Sequence, residues 1–568
     1  MTEPVNSKAI DAEIVLEPRL GQLDDSAKTY LIGEGGTNIQ YFPFTAQSFS
    51  DSNMTFKCDP PSTRSVMDRN MIIEVPIKVV LTGDTGDADT PMWGKNRSAL
   101  RAMPISSVTQ TLTANINGQS LTVQLADVCH PISRYLSSAD SRTTFSSILP
   151  NAYDMYQQYE DGDGAANSPL NGYEYSIPQS HTPRGAYPVK ILENTRTRAT
   201  LEILVTEYLQ ISPFYWKKES GVGGLANIRN CTFNLTMSRL ARMLSISTKI
   251  NANQTLTIND AIVSIQQVPR MFVGFVTPQD TLSIPQSIVY SYNDINFYSQ
   301  AFQTVLPVTP VDQRPTQTLT SSVIQFAQLP ERLYIYVRRA GTQVYDTALS
   351  TVNTTDTYAR IENVNINFSG QDGIQSATNI VDLYQQSERN GLNMSYQEFG
   401  GEVYKALEKV AASTDPQSER IGTTGSVICF ELARDIPLKA FEAVAQSGSW
   451  NFQCTVQARN TGKVEFVPEL CIITVQDGLL TLSYPSSAST TLGIITPGDV
   501  QRAEISDRSA QEVMSLYGGS ALSTIKKMVS KMAPRVKKAI CDDGGVRAGN
   551  LMGGMAMPKR QLMQRAMR

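Results

Sequence analysis

Alternation of apolar and polar positions dominates this chain. Ile72–Leu81 is rich in β-branched residues and stops at Thr82-Gly83-Asp84. Gln110–Ile116 alternates and meets Asn117-Gly118, and Ser120–Leu125 follows. Two alternating runs around Asn-Gly predict a hairpin with a type I′ turn. Their period of two puts one face on a core and the other outward. Further strands are predicted at Ala199–Leu209, Cys231–Met237, Thr255–Ile258, Ile262–Gln266, Leu333–Val337, Val364–Phe368, Val427–Leu432, Asn451–Ala458 and Leu470–Val475. Many short strands divided by turn signals predict sandwiches or barrels.

Helical signals are the minority. Asn379–Arg389 ends at Asn390-Gly391, a plausible C-terminal stop. Ser395-Tyr396-Gln397-Glu398 has capping-box spacing, and Val403, Leu407 and Val410 after it fall on one helical face. These residues predict a helical insert near 378–412. The first half is interrupted by Ser137–Pro188, which carries Asp161-Gly162-Asp163-Gly164 and Asn171-Gly172. Loops this long are uncommon without a role of their own. Its tyrosines (Tyr153, Tyr156, Tyr159, Tyr173 and Tyr175) predict ordering by packing on neighbouring subunits. A seam is expected near Pro278–Pro285, with similar strand density on both sides. No strict sequence repeat relates the two sides.

Composition narrows the class. The chain has 568 residues, 18% of them charged, with a net charge of −4 and an apolar share of 41%. Such a length predicts about two to four domains. Met1–Val15 lacks a basic stretch followed by an apolar run, so no secretory signal is read there. No run approaches the ~18 apolar residues of a membrane-spanning helix. The seven cysteines (Cys58, Cys129, Cys231, Cys429, Cys454, Cys471 and Cys541) are scattered and never form a C-x-x-C pair. That pattern suits reduced thiols. Triplets such as Asn230-Cys231-Thr232 and Asn234-Leu235-Thr236 are read as by-products of an Asn- and Thr-rich composition.

Candidate chemistry is sparse. The two histidines, His130 and His181, sit in or near Pro- and Ser-rich segments, and no metalloprotease spacing surrounds them. Cys129-His130 is read as strand neighbours facing apart. Thr461-Gly462-Lys463 lacks the upstream glycine of a phosphate loop and is read as a hairpin tip. Gly33-Glu34-Gly35-Gly36 is read as part of a flexible arm. Asp161 and Asp163 suit either a loop cation or solvated turn acids. Asp68-Arg69 is read as structural. No catalytic set stands out, so no enzyme, cofactor or metal site is expected.

A series of segments, taken in order, resembles the double jelly-roll major capsid proteins of adintoviruses, adomaviruses and polinton-like viruses. Met54–Gly83 resembles the opening strands of that group, with Pro61-Ser62, then Asp68-Arg69, then a strand from Met71. Leu204–Trp216 and Gly224–Met237 resemble late strands of its first sandwich. Ser322–Arg339 resembles an early pair of the second, Asn379–Gly401 the helical insert, and Gly425–Leu438 and Trp450–Asn460 the closing strands. The resemblance spans roughly residues 40–500. It implies an all-β chain of two fused eight-stranded jelly-roll sandwiches. It also implies a hexon-like homotrimer of pseudo-hexagonal outline that packs with neighbouring capsomers into an icosahedral virion shell. Penton and minor capsid proteins would be further partners, and assembly would take place in the host nucleus or cytoplasm. The expected organisation is an N-terminal arm over 1–40, a first jelly roll over 41–280, a second over 281–500 and a tail over 501–568.

The tail differs in character. Lys526–Arg568 holds eleven Lys or Arg and two acids, Asp542 and Asp543. Ile525, Met528, Val529, Met532, Val536 and Ile540 fall at helical spacing, and Pro534 kinks or ends the first part. Lys526, Lys527, Lys531, Arg535, Lys537, Lys538, Lys559 and Arg560 form a cationic set facing inward. A basic amphipathic helix suits packaged nucleic acid or an internal membrane. The alternative is a solvated tail. Gly553-Gly554 resembles the Gly-Gly sites cut by adenovirus-like maturation proteases. The competing reading of the whole chain is a non-viral β-sandwich binding or adhesion protein.

Overall fold

The computed structural model describes residues 38–496, apart from 95–97, 137–186, 216–222, 247–248, 252–253, 279–283, 309–314, 342–357, 378, 407–417, 440–441 and 463. Most of the expected arm, the loop over 137–186 and the whole basic tail lie outside the described residues. So do Asp161, Asp163, His181 and Cys541.

The first half rests on β1 (Asn38–Thr45), β2 (Asn53–Lys57), β3 (Ile72–Asp84), β4 (Thr109–Ile116), β5 (Gln119–Val123), β6 (Arg198–Tyr208), β7 (Cys231–Met237), β8 (Thr257–Ile265) and β9 (Arg270–Thr277). One sheet runs β1-β9-β3-β6 and the other β2-β7-β4-β5. β8 and β9 lie end to end along the same edge of β3: Ile265 sits opposite Ile77, and Arg270 opposite Glu74. They act as one bent strand. The second half repeats the plan with β10 (Ser287–Ala301), β11 (Gln317–Thr320), β12 (Ile324–Gln328), β13 (Arg332–Arg339), β14 (Arg360–Phe368), β15 (Gln371–Ala377), β16 (Val427–Glu431), β17 (Ser447–Arg459) and β18 (Pro468–Ser483). Its sheets run β10-β18-β13-β16 and β11/β12-β17-β14-β15, where β11 and β12 share one edge of β17. Among the described residues, with each broken strand counted once and short additional edge strands such as Val189–Asn194 and Ser487–Leu492 set aside, both halves have eight strands in one order. The first, eighth, third and sixth form one sheet; the second, seventh, fourth and fifth form the other. This is a jelly roll built twice.

Side-chain period explains the sheets. On β3, Ile73, Val75, Ile77, Val79 and Leu81 are buried, and the residues between them are partly exposed. Each buried aliphatic side chain contributes about 1.5–3 kcal/mol. At the β4–β5 turn, Asn117 and Gly118 take φ of 49° and 88°, as a type I′ turn requires. On β18 the period fails: its first nine residues are all buried. One face of this sheet covers its own partner sheet, and the other meets the first roll.

The rolls stand side by side with the same polarity. Asn227, before β7, donates to the carbonyls of Pro285 and Leu482 at one end. At the other end Tyr135 donates to the Val427 carbonyl. The first and last described residues, Asn38 and Thr496, lie at the first of these ends. Asn38 pairs opposite Thr277, and Ile495 bridges to Gln446, beside the start of β17.

Several expectations change. Residues 38–40, assigned to the arm, already pair in β1. Leu125 opens a helix instead of closing a strand, and that helix, α2 (Leu125–Leu136), contains Cys129 and His130. A short α1 (Pro104–Val108) packs beside it. Thr257–Ile265 runs straight through the expected break before Ile262. The insert is helical at α3 (Ile380–Arg389) and α4 (Tyr396–Phe399), and Ser395 forms the expected capping box. Val403, however, lies on a strand, Glu402–Ala406, paired with Ser418–Gly422. Leu407 and Val410 lie outside the described residues. Thr461-Gly462 tips no hairpin, since β17 and β18 belong to different sheets. Asn460 ties this crossover by donating to the carbonyls of Leu306 and Val464.

Candidate assembly site

A capsid-like reading places function in surfaces and in the junction between rolls. That junction is polar and buried. Along β13, Tyr334, Tyr336 and Arg338 alternate onto the face that meets α2. The Tyr334 ring lies 5.0 Å from that of Tyr135, at an edge-to-face angle. The Tyr336 hydroxyl donates to the Asp127 carbonyl at 2.7 Å. Arg338 Nη1 donates to Asp127 Oδ1 at 2.6 Å, and its Nε to Glu469 Oε2 at 3.0 Å. The Arg338 guanidinium also lies over Phe297, 5.2 Å from the ring centre. The neighbouring acids help hold its pKa above the ordinary range, against the effect of burial. At the far end of α2, Arg134 stacks on Tyr358. Arg69, paired in the sequence with Asp68, is buried instead between Tyr290 of the second roll and the Pro213 carbonyl.

A second ionic cluster pins the insert to the second roll. Arg459, with a side chain 2% exposed, reaches Glu402 at 2.6 Å and Glu362 at 3.2 Å. Arg360 bridges the same two acids at 3.3 and 2.7 Å. Beside it, Gly425 has φ of +91°, and a Cβ there would lie 2.0 Å from the Tyr358 carbonyl oxygen.

Cys129 and His130 are successive residues of α2. Both are buried, and His130 Nε2 meets the Ser107 hydroxyl at 2.9 Å. Nearby, Glu207 accepts from the Ile105 and Ser106 amides and from the Ser106 hydroxyl. Burial outweighs these bonds and pushes its pKa up to about 7. A carboxyl whose pKa is raised on folding binds its proton more tightly in the folded state. The stability it contributes is complete below the ordinary carboxylate range and is lost as pH rises through about 7. Melting temperature is therefore expected to fall between about pH 4.5 and 7 and to level off above that, and Glu207→Gln is expected to flatten that window in a pH series of thermal melts. Among the described residues, six cysteines are buried and in no disulfide. Burial raises the thiol pKa of Cys58, Cys231, Cys429, Cys454 and Cys471, which makes them poor nucleophiles. The cationic tail set and Gly553-Gly554 lie outside the described residues.

Capsid protein V20 of Sputnik virophage is 32% identical over 571 aligned residues, spanning 98% of this chain and 93% of that protein. The chain belongs to the virophage major capsid protein family. The descriptions "Sputnik virophage major capsid protein 1st domain" and "Major capsid protein V20 C-terminal domain" match residues 11–201 and 300–478. The cryo-EM structure of Sputnik virophage superposes with a TM-score of 0.76 at 32% identity, covering 91% of this chain and 99% of that one. The crystal structure of the mavirus major capsid protein gives 0.67 at 16% identity, covering 89% and 100%, and shares the fold. As a member of this family the chain is a viral capsid protein, a structural component of the virion. The reading as a non-viral binding or adhesion protein is set aside.

The junction residues Asp127, Tyr336 and Arg338 were not singled out in the sequence. Ser322–Arg339 was marked as an early strand pair of the second sandwich, but no pattern signalled its partner. The usable signal is Leu470–Ile473, four apolar residues in succession where a half-exposed strand would alternate.

Proposed function

We propose that this capsid protein assembles as a homotrimer of pseudo-hexagonal outline that tiles with neighbouring capsomers into an icosahedral shell. The supporting observation is the eight-stranded plan built twice in one chain. Three such chains offer six similar units around a three-fold axis. Residues 41–280, with Asn38–Gln40 joining them in β1, and residues 281–500 are the two units, and penton and minor capsid proteins complete the shell. No catalytic step is part of this role. Electron microscopy of purified protein tests the assembly: trimers and ordered arrays are expected, and monomers at every pH and salt tested would overturn it.

The end carrying Asn38 and Thr496 faces the interior. The opposite end, which carries the connection over 137–188 and the helical insert, faces outward as the towers. The tail over 501–568 then lies inside, where Lys526, Lys527, Lys531, Arg535, Lys537, Lys538, Lys559 and Arg560 hold packaged nucleic acid or an internal membrane. Truncation after residue 500 is expected to leave trimers intact. It should also remove salt-sensitive binding to DNA or to anionic vesicles, as read by sedimentation across a salt series. Cleavage at Gly553-Gly554 during maturation is read from the intact mass of the protein inside particles. Assembly takes place in the host nucleus or cytoplasm.

A further inference from the structure

The helix α2 contains Pro131, and Pro131 stands four residues after Asp127. Proline has no amide hydrogen, so the Asp127 carbonyl receives no helical bond from that position. The ring also crowds that carbonyl away from the helix axis. The same carbonyl accepts the Tyr336 hydroxyl of the second roll at 2.7 Å, and the Asp127 side chain accepts Arg338 at 2.6 Å. Tyr336 and Arg338 stand two apart on β13 and therefore share one face. A buried tyrosine hydroxyl needs a partner. The missing helical bond supplies one at the place where the two rolls meet.

We propose that Pro131 is a positioning residue. It gives up one bond inside α2 so that Asp127 offers two acceptors, backbone and carboxylate, to Tyr336 and Arg338. This two-point latch helps set the angle between the jelly rolls. It lies between the Asn227 contacts at one end and the Tyr135 contact at the other, and its two bonds on one strand add a direction that those contacts do not supply. The consequence for shell geometry rests on the capsomer reading above; the latch itself is a property of the unassembled chain.

The test is a double-mutant cycle on the full chain with Pro131→Ala, Tyr336→Phe and both, read by urea unfolding. Tyr336→Phe alone is expected to weaken the folding equilibrium about threefold to tenfold. In the Pro131→Ala background the new amide bonds the Asp127 carbonyl within the helix, and the effect of Tyr336→Phe is expected to shrink to less than twofold. Strictly additive effects would overturn the proposal. So would an unchanged equilibrium for Tyr336→Phe, a variant that keeps its ring against Tyr358 and does not depend on Pro131→Ala folding. Electron microscopy of the same proteins separates the two readings. Ordered particles from the native chain beside irregular ones from Pro131→Ala support the latch as a determinant of assembly, and equally ordered particles from both remove that role. A native chain that never assembles counts against the capsomer reading and leaves the cycle to decide the latch.

Discussion

Arg459→Ala is expected to lower the stability of the second roll by about 3–5 kcal/mol, the usual cost of leaving buried charge without its partner. Arg459 is 2% exposed and lies against Glu402 and Glu362. Its loss leaves two acids facing one remaining cation, Arg360. The insert strand Glu402–Ala406 carries one of these acids, so its pairing with Ser418–Gly422 should loosen first. Urea unfolding gives the magnitude, and hydrogen exchange along Glu402–Ala406 locates the damage. Loss of under about 1 kcal/mol, the range of an exposed pair, would show that water replaces the guanidinium.

Gly425→Ala is expected to be as severe for a different reason. The backbone there is left-handed at φ +91°, which costs a non-glycine residue about 1–3 kcal/mol. The added methyl would also lie 2.0 Å from the Tyr358 carbonyl oxygen, a backbone atom that no rotamer change can move. Tyr358 is held there by its own amide, which donates to the Thr424 carbonyl at 2.7 Å. Relief requires β16 to part from the segment before β14, and that opens the core around Val427 and Ile361. Low soluble yield and a melting temperature well below that of the native chain are the expected results.

How much could be read from the sequence varied with how local each signal was. The β4–β5 hairpin was legible because Asn117-Gly118 both marks the turn and sets its hand. The capping box at Ser395 and the stop at Asn390-Gly391 were legible for the same reason: each is closed by residues within one turn of the chain. α2 was missed because Pro131 reads as a breaker, although Leu125, Val128, Ile132 and Leu136 keep helical spacing around it. Packing against α1 and the second roll holds the helix together across that gap. Val403 continued the helical pattern by spacing alone, but Glu402 is drawn into a strand by Arg360 and Arg459, a contact between distant segments that no local pattern encodes. Thr461-Gly462 reads as a hairpin tip because turn chemistry reports that a chain reverses, not which sheet it enters. The family resemblance was legible because a capsid fold spreads its signal over many strands in fixed order. The junction was not, because Asp127 and Arg338 are distant in sequence and meet only in the folded molecule.

The shared exit of residues 38 and 496 has a practical meaning. Molecules ranked upright in one layer have two unlike sides, one reached by fusions made at residues 38 and 496 and the other by peptides spliced into the opposite loops. Cargo and display could then be engineered independently in the same polypeptide.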